Sequence, residues 1–205
     1  MKNVYVGMSG GVDSSLTAAL LKEQGYNVTG VYMKNWSEPI KGVEHCPWAQ
    51  DQLDGRMVAA QLNIPFYTVD FEIEYKNFVV TAFLADYAAG RTPNPDVLCN
   101  KFIKFDAFFR YAKSLGADAM ATGHYAQIKD GQLYTAVDLS KDQTYFLWAV
   151  APATLNSVLF PIGAMTKARV RQEAAKRGLV TAAKKDSQGI CFIGQADVRH
   201  FLASR

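Results

Sequence analysis

The chain has 205 residues, of which 49% are hydrophobic and 20% charged, and its formal net charge is +3. This balance is typical of an ordinary globular protein with one large domain, or one domain and the start of another. So small a charge does not by itself indicate a nucleic-acid-binding protein, and no run of about 18 apolar residues predicts a membrane span. Because a predicted strand follows the first three residues directly, there is no room for a signal peptide, and we expect a cytoplasmic protein without a membrane partner.

In chain order, apolar runs rich in β-branched residues alternate with segments of helical spacing. Strands are predicted at residues 3–8, 27–33, 66–70 and 117–122, and helices at residues 14–24, 51–62, 73–89 and 101–115. This alternation is typical of an α/β fold with an open, doubly wound parallel sheet. Ligands of such sheets bind beyond the carboxyl ends of the strands, so the residues after Val6, Met33 and Thr122 should surround one crevice.

The last third of the chain has a different pattern. Residues 125–128 and 133–136, joined by Asp130 and Gly131, predict a hairpin with a tight turn. Connections then shorten, and a basic helix is predicted at residues 166–177, with a further helical segment at 196–203. We therefore predict one domain at residues 1–160 and the start of a second, smaller domain at residues 161–205.

Basic residues are concentrated in one late stretch, opposed by Glu173 and Asp186. The stretch contains Lys167, Arg169, Arg171, Lys176, Arg177, Lys184 and Lys185. Such a segment can neutralise phosphates of a nucleic acid, or it can be a solvated helix face. The sequence does not favour either interpretation.

Residues 7–15 read Gly-Met-Ser-Gly-Gly-Val-Asp-Ser-Ser and connect the first predicted strand to the first predicted helix. Adjacent glycines permit positive φ angles, so successive backbone N–H groups can point into one concavity. Serine hydroxyls and the helix N-terminus add donors for an anion. A Walker A loop requires a lysine at the β- and γ-phosphates, and this loop has none. The string instead resembles the PP-loop of ATP pyrophosphatases, which implies cleavage of ATP at its α-phosphate.

Two residues at this crevice have two interpretations each. Asp13 could contact magnesium-bound phosphate, or it could cap the helix. Met33, at the end of the second predicted strand, could contact the adenine or belong to the core.

The three cysteines form neither a disulfide framework nor a pattern of zinc ligands. Cys99 follows a connection between two predicted helices that Pro93 and Pro95 should hold extended. If a helix begins just before Cys99, the helix dipole would lower the thiol pKa. Asp96 could transfer a proton or cap that helix. Cys191 lies between glycines in residues 186–194. Taken singly, a cysteine such as either of these is more often a small buried hydrophobe than a nucleophile, and we interpret Cys46 as such a hydrophobe.

Five strings, in the same order, closely resemble the bacterial tRNA-specific 2-thiouridylase family. They are GMSGGVDSS from Gly7, GRTPNPDVLCNKFIKF from Gly90, ATGHYA from Ala121, KDQTYFL from Lys141 and DSQGICFIG from Asp186. Several PP-loop enzymes share SGGVDSS, whereas the combination is highly specific. The resemblance implies an adenine nucleotide alpha-hydrolase-like fold and ATP-dependent 2-thiolation of the wobble uridine, position 34, of tRNA.

The resemblance also implies roles for individual residues. The nucleotide contacts would be Gly7, Met8, Ser9, Gly10, Gly11, Val12, Asp13, Ser14, Met33 and Gly123. The target base would face Asn94, Pro95 and Asp96, and a further tRNA contact would be formed by Lys141, Asp142 and Gln143. Cys99 would be the catalytic nucleophile, Cys191 would carry sulfur as a persulfide, and Asp96 would be the general acid or base.

The implied cofactors are ATP and nucleotide-bound Mg²⁺, with no metal held by the protein itself. The implied partners are tRNAs for Lys, Glu and Gln, and a sulfur-relay protein or cysteine desulfurase. Because the family continues into the rest of a central domain and a C-terminal β-barrel, we expect this chain to be a fragment. Two alternatives remain: a PP-loop enzyme that adenylates a small molecule, and a non-catalytic nucleotide-binding module.

Overall fold

The computed structural model describes residues 1–37 and 48–186, together with Val198 and Leu202. Cys46, Cys191 and most of the helix predicted at residues 196–203 lie outside the described residues. The expectations for these positions therefore stay predictions.

Within the described residues, parallel strands form a central sheet and a hairpin lies beside it. The strands are β1 Asn3–Gly7, β2 Asn27–Lys34, β3 Phe66–Asp70, β4 Ala119–Ala121, β5 Gln127–Lys129, β6 Gln132–Tyr134 and β7 Val158–Leu159. The sheet has the order β3-β2-β1-β4-β7, and all of its pairings are parallel. The antiparallel pair β5–β6 turns at Asp130 and Gly131, whose φ angles of 51° and 72° are those of a tight hairpin turn. The predicted parallel sheet and hairpin are confirmed.

Helices connect the strands and cover both faces of the sheet. They are α1 Val12–Glu23, α2 Trp48–Gln61, α3 Glu72–Tyr75, α4 Thr81–Ala88, α5 Pro95–Leu98, α6 Phe108–Ser114, α7 Pro152–Leu155 and α8 Lys167–Lys176. The π-helical segment Lys76–Val80 joins α3 to α4, and Cys99–Ala107 joins α5 to α6. Of the helices in the described ranges, none is long and apolar enough to cross a membrane.

One predicted helix begins earlier than expected, and the prediction of an extended connection before Cys99 was wrong. Helix α5 starts at Pro95, where the missing N–H costs nothing, and the Asn94 side chain caps it by accepting from Val97 N at 3.3 Å. The cap is therefore Asn94 and not Asp96. Because Cys99 is the fifth residue of the continuous helix, it lies beyond the first turn, in which the helix dipole acts on a charge.

Two apolar clusters cover the two faces of the sheet. One, which we call the Cys99 cluster, contains Cys99 with Val31, Phe108 and side chains of residues 71–83. The other joins β1 and α1 to Ile162 and to apolar residues of α8 and the turn after it. Residues on both sides of position 160 thus share the second cluster. The boundary near Pro161 stays a prediction.

Candidate nucleotide and thiol site

The loop after β1 is held in shape by its own serines. The Ser14 hydroxyl donates to the carbonyl of Gly11 at 3.1 Å and accepts from Ser9 N at 3.1 Å, while the two serine hydroxyls lie 3.3 Å apart. Ser15 Oγ donates to the same Gly11 carbonyl at 2.8 Å. These bonds fold the loop back over the first turn of α1. The two serines therefore fix the backbone of the loop, in addition to offering hydroxyl groups to a ligand.

The backbone of the loop has the features of an anion site. Gly10 has a φ of +74°, in the left-handed region that favours glycine. In the described part of the chain, the N–H groups of residues 10–14 find no acceptor. They lie at the N-terminus of α1, whose 12 residues give it a helix dipole with its positive end at the loop. The donors and the dipole fit a phosphate group.

Met33 and Gly123 lie against this loop, as expected. A Cβ built on Gly7 would lie 3.0 Å from Met33 Cε, so the thioether contacts the end of β1. Met33 is half-buried and also packs on the Cys99 cluster, so both of its interpretations remain open. A Cβ on Gly123 would lie 2.7 Å from Ser14 N. Only a glycine lets this strand end approach α1 so closely.

Asp13 does not cap α1, because the N-cap residue is Gly11. Instead, both carboxylate oxygens of Asp13 accept from Lys167 Nζ at 2.8 Å, and the Tyr125 hydroxyl donates to Oδ1 at 2.9 Å. Burial, followed by the charge of Asp13, raises the pKa of Tyr125, which therefore stays a neutral donor. The predicted helix cap is thus wrong, and the carboxylate is neutralised by a lysine from α8.

A second lysine holds the opposite side of the loop. Lys184 Nζ donates to the Gly10 carbonyl at 3.1 Å and pairs with Asp51 at 2.7 Å and with Asp54. Burial lowers the pKa of Lys184 and the hydrogen bonds to the two aspartates raise it, with a net rise. Lys184 thus ties the loop to the first turns of α2.

Asp186 joins three cations from separate parts of the chain. Its carboxylate accepts from Arg171 at 2.6 Å, pairs with Lys167 at 2.8 Å and accepts from Lys141 at 3.2 Å. Burial raises the pKa of Asp186, but the hydrogen bonds from Lys167 and Lys141 outweigh it and lower the pKa. Most of the basic stretch is engaged in this way, with Glu173 and Glu23 pairing further cations.

The predicted tRNA-contacting segment is fastened to the same network. The Asp142 carboxylate accepts from Ala136 N at 2.7 Å and from the Thr144 hydroxyl. Gln143 Oε1 accepts from Tyr125 N at 2.9 Å, two residues after Gly123. Lys141 is exposed and pairs with Asp186. Two of the three side chains therefore fix the local backbone.

Cys99 lies beyond the carboxyl ends of the strands, at the same end of the sheet as the loop, but it is buried in apolar surroundings. Its exposed fraction is 3%, whereas Asp96 and Asn94 are exposed and Pro95 is buried. Phe108, nine residues further along the same helix, lies 3.5 Å from a Cβ built on Gly7. Phe105 of the same helix packs on His124, which follows the carboxyl end of β4, and Cys99 lies six residues nearer to the start of the helix. Cys99 and the loop are thus at the same end of the sheet.

His124 was not singled out from the sequence, and neither was Tyr125 beside it. The ring of His124 packs between Phe105 and Phe160, and its Nδ1 lies 2.7 Å from Thr122 Oγ1. Burial, with a smaller effect of the Lys104 charge, holds the pKa of His124 well below 6.5, so the ring is neutral at pH 7. Lys167 and Lys184 had been considered only as members of a charge run. Their partners at the loop, Asp13 for Lys167 and Asp51 and Asp54 for Lys184, lie more than 100 residues away, and no local pattern reveals such pairs.

Comparison with known proteins identifies the family. The family described as "tRNA methyl transferase HUP domain" matches residues 2–195. The chain belongs to this family. Two curated relatives, each named tRNA-specific 2-thiouridylase MnmA, are 56% identical: that of Streptococcus mutans over 98% of this chain and that of Legionella pneumophila strain Lens over 97%. The resemblance found from the five sequence strings is confirmed.

The chain spans about half the length of these relatives, 55% and 56% respectively. Solved structures share the fold at low identity. NMN synthetase from Francisella tularensis has a TM-score of 0.55 at 18% identity, covering 96% of this chain and 70% of its own. A 4-thiouridine synthetase in complex with RNA and ATP has a TM-score of 0.56 at 15% identity, covering 93% and 44%. The predicted PP-loop type of α/β fold is confirmed.

Proposed function

We propose that the protein to which this chain belongs thiolates C2 of the wobble uridine of tRNA, using ATP and a cysteine persulfide. The observation that carries the proposal is that the anion-binding loop and Cys99 lie at the same end of the sheet, joined by a helix that contacts Gly7. The relatives named 2-thiouridylases support the choice of reaction. ATP, tRNA and the sulfur donor are all parts of the proposal.

The loop would bind the phosphates of ATP. The N–H groups of residues 10–14, which find no acceptor among the described residues, and the N-terminus of α1 would hold the α-phosphate while the uridine O2 displaces pyrophosphate. Met33 and Gly123 would border the adenine and ribose. Each carboxylate beside the loop is already paired with a lysine, Asp13 with Lys167 and Asp51 with Lys184. Mg²⁺ would therefore arrive bound to the nucleotide and not be held by these aspartates.

The sulfur would come from Cys191, loaded as a persulfide by a relay protein or a cysteine desulfurase. The Cys99 thiolate would attack the inner sulfur of that persulfide, forming a Cys99–Cys191 disulfide and releasing hydrosulfide. The hydrosulfide would add to C2 of the uridine, and AMP would leave with the original oxygen. A dithiol would then reduce the disulfide. Asp96, exposed three residues before Cys99, is the candidate proton carrier.

Nucleoside mass analysis tests this function directly. The full-length protein is incubated with ATP, Mg²⁺, a persulfide donor and unmodified tRNA for Lys, Glu or Gln. The expected result is 2-thiouridine at position 34, with one pyrophosphate released for each thiolated base. Tight ATP binding without 2-thiouridine would contradict the proposal and favour a PP-loop enzyme that adenylates a small molecule.

Two controls separate the steps. A tRNA with cytidine at position 34 should not be thiolated. The variant Cys191→Ser should still release pyrophosphate in the presence of tRNA but form no 2-thiouridine, because adenylation does not need the persulfide. Normal thiolation by Cys191→Ser would rule out the two-cysteine route.

A further inference from the structure

Two exposed aromatic side chains stand beside the Cys99 site and have no role in the proposed chemistry. Tyr145 is 60% exposed and Trp148 is 75% exposed. They follow directly on the Lys141–Gln143 segment, Tyr145 within the 3₁₀ helix Thr144–Phe146 and Trp148 two residues after its end. The apolar surface of an exposed aromatic ring is removed from water only when a partner covers it. Two such rings on one short segment therefore need a structural or functional reason.

The segment that carries the rings is rigid. Leu147, between the two exposed residues, is buried and belongs to the Cys99 cluster. On the N-terminal side, Asp142 and Gln143 fix the backbone through hydrogen bonds to Ala136 N and Tyr125 N. The rings are therefore presented by a backbone that is already ordered, and little conformational entropy would be lost when they bind a partner.

The segment is also attached to the thiol site. Asn100, the residue after Cys99, is buried and donates from Nδ2 to the Phe146 carbonyl at 3.2 Å. The Tyr145 ring lies on the Phe146 ring with centroids 3.9 Å apart, so its position is set relative to the same contact. A nucleotide that reaches Cys99 would bring its neighbours in the RNA loop close to these rings.

We infer that Tyr145 and Trp148 form a stacking platform for unpaired bases of the tRNA loop that flank the base presented to Cys99. This inference rests on the proposed tRNA thiolation. RNA loops are recognised largely by stacking of splayed bases on aromatic side chains. Each such contact contributes about 5- to 150-fold in affinity, the equivalent of 1–3 kcal/mol. Lys141, exposed at the start of the segment, adds a cation for the phosphates.

A partner made of protein is the alternative, and one feature argues against it. The exposed aliphatic residues of this region are Val137 and Leu139. Their part of the chain is hydrogen-bonded to residues 163–167, because Val137 N donates to the Gly163 carbonyl and Lys167 N donates to the Asp138 carboxylate. The two rings lie on the side fastened to Asn100. The surface next to the thiol site thus carries aromatic rings, which suit bases, rather than aliphatic side chains.

Binding measurements on the full-length protein test the platform. Tyr145→Ala and Trp148→Ala should each weaken binding of an anticodon stem-loop RNA with uridine at position 34 by about 5- to 150-fold. The slope of log affinity against log salt concentration should not change, because no phosphate contact is lost. Tyr145→Phe and Trp148→Phe should retain most of the affinity. The matched control is Leu139→Ala, whose side chain is 76% exposed, and it should bind the RNA normally.

Three results would overturn the platform: unchanged RNA affinity in both alanine variants, an equal loss in Leu139→Ala, or a lowered unfolding temperature in the alanine variants with full RNA affinity. The last would mean that protein covers the rings. Failure of the platform is distinguishable from failure of the proposed function. If the unchanged protein makes 2-thiouridine but the alanine variants bind RNA normally, only the platform fails. If stacking is found but no 2-thiouridine forms, the thiolation proposal fails.

Discussion

Around the nucleotide loop, charged and polar side chains from distant parts of the chain converge, whereas Cys99 is surrounded by an apolar cluster. Asp13 is held by Lys167 and Tyr125, and the Gly10 carbonyl is held by Lys184. Cys99 instead packs with aromatic and aliphatic side chains on the other face of the sheet. The loop is positioned by hydrogen bonds and ion pairs between distant side chains, whereas the surroundings of the thiol are mostly apolar.

This difference predicts different responses to substitution. A loop held by hydrogen bonds and ion pairs loses its shape when one partner is removed, because buried partners are left unsatisfied. Replacing the sulfur of Cys99 by a similar atom removes its chemistry without touching the loop. Changes at the loop should therefore weaken ATP binding, while a conservative change at Cys99 should stop sulfur transfer and leave ATP binding intact.

The largest expected effect is that of Cys99→Ser in the full-length protein. Formation of 2-thiouridine should fall by more than about 10³-fold, because a hydroxyl does not undergo thiol–disulfide exchange. Pyrophosphate release should be nearly unchanged, because adenylation does not need the thiol, whereas the unfolding temperature should fall somewhat, because a hydroxyl is costlier than a thiol to bury among apolar side chains. Nucleoside mass analysis and a pyrophosphate assay measure the two outcomes. Cys46→Ser is the matched control and should thiolate normally; equal losses in both variants would refute a special role of Cys99.

The next largest effect is expected for Gly10→Ala. Gly10 has a φ of +74°, and its Cβ would lie 2.1 Å from the Asp51 carbonyl oxygen. Gly25→Ala is the matched control, because Gly25 has a φ of +82° but nothing within 4 Å. Both variants should lose about 1–2 kcal/mol of stability because alanine is strained in the left-handed region, while only Gly10→Ala should also weaken ATP binding, by more than about tenfold. Calorimetric titration with ATP distinguishes them, and equal ATP affinity would show that the loop tolerates the shift.

The sheet, its helices and the loop could be predicted from the sequence because each depends on local pattern. Alternating apolar runs define the strands, and the loop needs only its glycines, serines and the helix that follows. The start of α5 at Asn94 and Pro95 could also have been predicted, because a capping residue followed by proline is a helix start signal. The prolines were instead interpreted as an extended connection, and the start of the helix was placed six residues too late.

The partners of Lys167 and Lys184 could not be predicted in this way. Asp13 is 154 residues from Lys167, and Asp51 and Asp54 are more than 100 residues from Lys184, so these pairings follow from how distant elements pack together. The burial of His124 depends likewise on Phe105 and Phe160, which reach it from separate elements. Contacts of this kind depend on the completed fold, and a charge run does not reveal which of its members are engaged.

Lys184→Met tests how much the ion pairs of Lys184 stabilise the loop. Removing the ammonium leaves the Gly10 carbonyl, Asp51 and Asp54 without their shared donor, which should lower the free energy of unfolding by about 1–3 kcal/mol. Lys185→Met is the matched control, since Lys185 is exposed and has no ion pair in the part of the chain that the structure describes. Chemical denaturation measures both. Equal stabilities of the two variants would mean that Lys184 contributes nothing to the loop.

The smallest effect is expected for His124, which packs on Phe105 of the Cys99 cluster and follows Gly123 beside the loop. Its pKa is well below 6.5 in the folded protein because the neutral ring is buried, whereas the unfolded chain binds a proton near pH 6.5. The unfolded state therefore holds the extra proton below that pH, and the free energy of unfolding should fall by about 1.4 kcal/mol for each pH unit of acidification. This loss begins as the pH drops through about 6.5 and ends only at the lower, folded-state pKa. His124→Asn cannot titrate, so this contribution should be absent. Between about pH 5 and 7, the free energy of unfolding of this variant, measured by urea denaturation, should depend less steeply on pH than that of the unchanged protein. An identical slope in both proteins would mean that His124 is protonated within the folded state, and that the rings of Phe105 and Phe160 do not exclude water from it.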